Sequence, residues 1–152
     1  MKKFFMIASC ALLLLAAGCK DKNTPEEQTP AKPAEQSTQG NVEDPKWVVT
    51  VENDLTSSMT AVVKVTVSDQ PGTLAAFMGD ACCGVATFND EVGLYWLYMS
   101  PATEAGGDVQ LRFYSPEFKH IYNAKETFPF RNDDVDLGNV STPYTPEWVV
   151  SE

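Results

Sequence analysis

Met59-Thr60-Ala61-Val62-Val63-Lys64-Val65-Thr66-Val67 puts Met59, Ala61, Val63, Val65 and Val67 on one face and Thr60, Val62, Lys64 and Thr66 on the other. Successive side chains of a strand point to opposite sides, so this period of two predicts a half-buried β-strand, and its β-branched content agrees. Val109-Gln110-Leu111-Arg112-Phe113-Tyr114 repeats the alternation. Shorter candidate strands lie at Trp47–Val51, Leu74–Met78, Gly84–Phe88, Leu94–Met99, His120–Asn123 and Thr127–Phe130. Turn-forming stretches separate them: Asp69-Gln70-Pro71-Gly72, Asn89-Asp90-Glu91, Ala105-Gly106-Gly107-Asp108 and Ser115-Pro116-Glu117. No window of ten or more residues carries a helical period. Short strands at regular spacing predict an all-β fold, an antiparallel two-sheet β-sandwich of immunoglobulin-like or jelly-roll-like type, with a closed barrel as the alternative. Pro129 cannot donate to a ladder and predicts a sheet edge for its segment. Pro146-Glu147-Trp148-Val149-Val150 echoes Pro45-Lys46-Trp47-Val48-Val49, as two similar terminal strands would.

The chain of 152 residues divides into three by composition. In residues 1–18, Lys2 and Lys3 precede an apolar run through Leu12-Leu13-Leu14-Leu15, and Ala16-Ala17-Gly18 lead into Cys19. This is the pattern of a secretory signal peptide, too short for a permanent span of roughly 20 residues. Its ending resembles the lipobox of bacterial lipoproteins. The resemblance implies cleavage after Gly18, lipid on Cys19 and an outer-membrane location, with the periplasmic or cell-surface face left open. Residues 19–46 carry Pro25, Pro30, Pro33 and Pro45 among Thr, Glu, Gln, Ser and Lys, with Val42 the one sizeable aliphatic residue. Such a stretch buries too little apolar surface to offset ordering entropy and is expected to be a disordered tether. It would reach roughly 30 Å as a coil or about 90 Å at full stretch. Residues 47–152 are of a size suited to one core.

The formal charge is −10, and loss of residues 1–18 removes two lysines and no acid, leaving −12. Nucleic-acid binding rests on neutralising phosphates, so that class is excluded. Polybasic docking on anionic lipid is disfavoured in the same way, which leaves acyl chains as the expected membrane partner.

Cys10 leaves with the signal and lipid consumes Cys19, so Cys82 and Cys83 are the candidate redox or structural thiols. Neighbouring Cα atoms lie about 3.8 Å apart, below the usual disulfide window of roughly 4.4–6.8 Å. Two free thiols on opposite faces of one strand are expected, one of them buried. A vicinal or intermolecular disulfide is the alternative in an oxidising compartment. Two thiols and the lone His120 do not make a structural zinc site.

Leu74-Ala75-Ala76-Phe77-Met78-Gly79-Asp80-Ala81-Cys82-Cys83-Gly84-Val85-Ala86 resembles the "AAFVGDECRGVA"-like stretch of a β-sandwich module found in secreted and surface proteins of Bacteroides-type bacteria. Met59–Val63 matches that module's "MTAVV"-like strand. Val109–Tyr114, His120-Ile121-Tyr122, Thr127-Phe128-Pro129-Phe130 and Leu137–Tyr144 follow in the same order. The likeness covers nearly all of residues 47–145 and implies the sandwich fold. These modules are accessory units without assigned chemistry, so it implies no activity. The chain departs from the pattern at Ala81 and Cys83, where the module usually has an acid and an arginine.

Three groups are candidate sites. Tyr95, Trp96 and Tyr98 lie in Leu94–Met99, where Leu94, Trp96 and Tyr98 share one face and Tyr95, Leu97 and Met99 the other. A sheet of a two-layer sandwich has one core face, so one triplet is expected to be exposed as a stacking platform for sugar rings or a patch for a protein. Coverage by the strand bearing Trp148 is the alternative. Asp133, Asp134 and Asp136 are candidate Ca²⁺ ligands, because calcium takes clustered oxygens, though the EF-hand glycine and distal glutamate are missing. Otherwise no cofactor is expected. Catalysis is disfavoured: there is no Gly-x-Ser-x-Gly elbow to pair with His120, and pairs such as Asp90-Glu91 occur by chance in any acidic domain. The sequence therefore predicts a lipid-anchored, non-enzymatic module for binding or adhesion to a glycan or an envelope protein. A scaffold subunit pairing through a sheet edge is the first alternative and a hydrolase the second.

Overall fold

The computed structural model describes residues 41–52, 57–103, 106–132 and 137–152. Nine strands follow one another: β1 Met59–Val63, β2 Thr73–Met78, β3 Ala81–Val85, β4 Thr87–Asn89, β5 Leu94–Met99, β6 Asp108–Ser115, β7 His120–Ala124, β8 Phe128–Pro129 and β9 Trp148–Val150. Among the described residues there is no helix. The strands form two packed antiparallel sheets, as the alternation predicted. The small sheet runs β1-β5-β4, and the large one β3-β2-β6-β7-β9 with β8 paired to β6.

Alternation decides which side chains meet between the sheets. Met59, Ala61 and Val63 of β1 and Tyr95, Leu97 and Met99 of β5 face Leu74, Ala76 and Met78 of β2 and Val109, Leu111 and Phe113 of β6. These apolar groups leave water together, which is the main driving force for closing the two layers. Gly84 lets the layers touch: a Cβ there would lie 2.3 Å from the Tyr98 carbonyl oxygen and 3.1 Å from Leu97. The Ser100 N–H donates to the Cys83 carbonyl at 2.9 Å beside this crossing.

Several expected boundaries shift. Gly84–Phe88 is not one strand but the end of β3 and the start of β4, interrupted at Ala86, whose N–H donates to the Leu74 carbonyl at 2.9 Å. The chain changes sheets at this corner. β1 stops at Val63, and the next residues are held by Tyr144: its carbonyl accepts the Lys64 N–H at 2.8 Å, and its N–H donates to Val62. Leu137 and Tyr144 each form an isolated parallel bridge to β1, covering its outer edge. Pro129 sits exposed in the two-residue β8, paired only with the start of β6, in agreement with an edge position.

The paired terminal strands are half realised. Trp148–Val150 is β9, but Trp47–Val51 forms no strand. Instead this segment crosses the outer face of the large sheet. Val42 begins the crossing: its N–H donates to the Lys119 carbonyl at 3.1 Å, and its carbonyl accepts the Tyr114 hydroxyl at 3.3 Å. Trp47 packs edge-on against Phe77 with ring centroids 5.5 Å apart. Thr50 closes the crossing by donating its N–H to the Cys82 carbonyl at 2.9 Å and accepting the Cys82 N–H on its hydroxyl at 3.0 Å. The expectation of an unattached tether up to Lys46 is therefore corrected from Val42 onward. The signal segment, Cys19 and the tether as far as Gly40 lie outside the described residues.

Candidate functional site

Residues of β5 with even numbers turn away from the core. Trp96 is 38% exposed and Tyr98 is 42% exposed, whereas Leu94, of the same parity, is buried at the hairpin end. Cross-strand neighbours extend the face: Val62 and Thr87 flank Trp96, and Thr60 pairs with Tyr98. The exposed triplet of the sequence reading thus reduces to two aromatics set among threonines.

Tyr95 does not belong to this face. It is 3% exposed, with its ring 4.9 Å from Phe88 and 6.0 Å from Phe113. Its hydroxyl accepts the Gly72 N–H at 2.9 Å and lies 3.3 Å from the Gly72 carbonyl, to which it donates. Burial pushes the phenol upward in pKa, with the Gly72 bond opposing. Tyr95 is a core strut between the small sheet and the turn before β2, not a ligand contact. Coverage by Trp148 is also corrected: that indole packs on Phe113, with centroids 6.0 Å apart, from an edge strand of the other sheet.

Beside Trp96 an open depression of about 520 Å³ is lined by Thr87, Phe88, Asn89, Asp90, Glu91 and Trp96. The sequence assigned Asn89-Asp90-Glu91 to a turn and set Asp90-Glu91 aside as a chance carboxylate pair. What it could not supply is that β4 pairs with β5 in the register that brings this turn beside Trp96. The turn is held locally, with the Asn89 carbonyl accepting the Gly93 N–H at 2.9 Å and Asn89 Oδ1 accepting the Glu91 N–H at 3.0 Å. Phe88 is anchored on Tyr95 beneath.

Cys82 and Cys83 are free thiols on opposite faces of β3, and both are buried rather than one. Cys83 lies in the main core, whereas Cys82 joins Ala75 and Phe77 under Trp47 and Val85. The pairing slips here, from Ala76 opposite Gly84 to Phe77 opposite Cys82, which leaves Cys83 as the extra residue of a β-bulge. Burial raises the Cys82 thiol, and burial together with the neighbouring Cys82 takes Cys83 to about 12. Thiols held protonated in this way are poor nucleophiles and poor metal ligands.

His120 opens β7 with its ring 6.2 Å from Tyr122, at the strand end that the sequence indicated. Asp133, Asp134 and Asp136 lie outside the described residues, and among those described no three acidic, histidine or cysteine side chains gather as a metal site. Comparison with protein-family models, curated proteins and solved structures finds no match to this chain.

Proposed function

We propose that this protein is a lipid-anchored, non-catalytic β-sandwich that presents the outer face of its small sheet to a ligand. The carrying observation is that Trp96 and Tyr98 stand exposed on a face that no described segment covers. Large aromatics lose apolar contact with nothing in return when left in water, and exposed aromatics set among polar neighbours mark interaction surfaces. The path of the N-terminal segment supports display. Residues 42–50 lie along the outer face of the large sheet, on the opposite side of the sandwich from Trp96. In this reading acyl chains on Cys19 hold the chain at the outer membrane and residues 20–41 supply reach.

A second reading, a scaffold that pairs through a sheet edge, is favoured by β9. Hydrogen bonds join Lys125 to Glu147 and Ser151 to Ile121. Antiparallel alternation then turns the Trp148 and Val150 backbone groups away from β7, toward an open edge.

A photoreactive amino acid in place of Val62 or, separately, Val149 tests both readings in intact cells. Adducts through position 62 alone are expected. Adducts through position 149 alone would replace the display reading with the edge reading, and no adduct through 62 would overturn it. Intact-mass analysis reads the anchor directly: a mature chain beginning at Cys19 without lipid would remove that part.

A further inference from the structure

We propose that the depression beside Trp96 binds a neutral carbohydrate, with the C–H face of a sugar ring stacked on the indole and ring hydroxyls donated to the Asp90 and Glu91 carboxylates. The proposal rests on reading the small-sheet face as the ligand surface, and it names the ligand's chemical class.

Charge narrows the occupant first. The lining holds two carboxylates and no basic side chain, in a chain of net charge −10. Sulfated, uronic or phosphorylated ligands would meet repulsion with no cation to offset it. A small cation alone would find two solvent-exposed carboxylates, where water and salt screen the attraction. A neutral polyol has neither difficulty, and its hydroxyls supply the donors that carboxylates lack. Thr87 adds a group that donates and accepts, and the Asn89 amide nitrogen adds donors.

Surface character narrows it again. The cores of protein interfaces are depleted in charged residues, and here two acids and a threonine line the same depression as the indole. The π-face of an indole is electronegative and attracts weakly positive C–H groups, which one side of a pyranose presents together. The depression is open, which suits a ring laid on one exposed indole rather than a ligand enclosed on all sides. The turn bonds through Asn89 and the Phe88 anchor fix the main chain that carries Asp90 and Glu91 before a ligand arrives, which removes backbone ordering from the cost of binding.

The full chain is run in native affinity gels containing mannan, xylan or mixed-linkage glucan, with hyaluronan as the acidic counterpart. At least one neutral polymer should retard it and hyaluronan should not. Trp96→Ala should weaken the retardation tenfold or more, and Asp90→Asn with Glu91→Gln several-fold, with the melting temperature of each variant unchanged. No retardation by any neutral polymer, equal retardation of the Trp96→Ala chain, or preference for hyaluronan would overturn the proposal. If adducts still form through position 62 in intact cells while every neutral polymer fails, the sugar is wrong and the ligand face stands. If both fail, the face itself is wrong.

Discussion

On the outer face of the large sheet Phe77 is 5% exposed beneath Trp47, whereas on the outer face of the small sheet Trp96 and Tyr98 are 38% and 42% exposed. Both faces carry aromatics on antiparallel strands, but among the described residues only one has a cover. Residues 42–50 convert the first into a minor core of Ala75, Phe77 and Cys82, with the Arg112 guanidinium 4.1 Å from the centre of the Phe77 ring. The segment leaves Val42, Val48 and Val49 exposed and achieves this with one indole and a few hydrogen bonds. The contrast teaches that an aromatic on an outer sheet face adds to stability when a segment covers it, as Trp47 covers Phe77, whereas Trp96 and Tyr98 have no such cover among the described residues.

The sharpest way to break this contrast acts on both faces at once. Gly84→Val places a side chain against the Tyr98 backbone, where no flexible group can yield. We expect a loss of about 3 kcal/mol or more, since overpacking alone costs roughly 1–3 kcal/mol and here the obstacle is main chain. Denaturant unfolding reads it. A well-folded Gly84→Val chain of normal stability would mean the sheets are not pressed together at this point.

Next in size is Phe77→Ala, expected to cost about 3 kcal/mol as for other buried aromatics. It should also speed labelling of Cys82 by a maleimide, mapped by mass spectrometry, while Cys83 stays protected. Trp96→Ala should move the unfolding midpoint by no more than about 0.5 kcal/mol, as for ordinary surface positions. Comparable losses at Phe77 and Trp96 would erase the distinction between the faces.

Thr50→Val tests the clasp at its far end. It removes the hydroxyl that accepts the Cys82 N–H while keeping the shape, and about 1 kcal/mol is expected for one such bond. Faster labelling of Cys82 without faster labelling of Cys83 should accompany it.

The smallest effect is an alkaline one. The Cys83 thiol is raised to about 12 in the fold from an ordinary value of 9.0. A raised value means the folded state holds its proton longer than the unfolded chain. The stabilisation is full below pH 9 and is lost as pH climbs toward 12. Tyr95, Tyr122 and Tyr144, all raised chiefly by burial, add to the loss above pH 10. Between pH 9 and 10 the melting temperature of Cys83→Ala should fall less than that of the parent. Parallel curves would show that Cys83 ionises as freely in the fold as out of it.

Much of this was legible in the residues. Met59–Val63 and Val109–Phe113 alternate in the way the strands bury them, whereas Tyr114 is buried out of turn; Leu94–Met99 is β5 from end to end, and Pro129 lies at an edge. The ligand face was only half legible. Tyr95-Trp96-Leu97-Tyr98 is apolar on both parities, so periodicity alone gives two equivalent answers. The tie is broken by Phe88, from the paired strand β4, and by Phe113, from β6 of the other sheet, which both pack on Tyr95.

Alternation, turn residues and the absence of helical periods determined an all-β chain of short strands, because a period of two is a local property of consecutive side chains. Tertiary structure decided which outer face stays open, that Val42–Thr50 lies along the sheet, and that both Cys82 and Cys83 are buried. Those outcomes depend on bonds between residues as far apart as Val42 and Lys119. Composition counts what a segment can bury by itself and cannot register a surface that the rest of the chain provides for it.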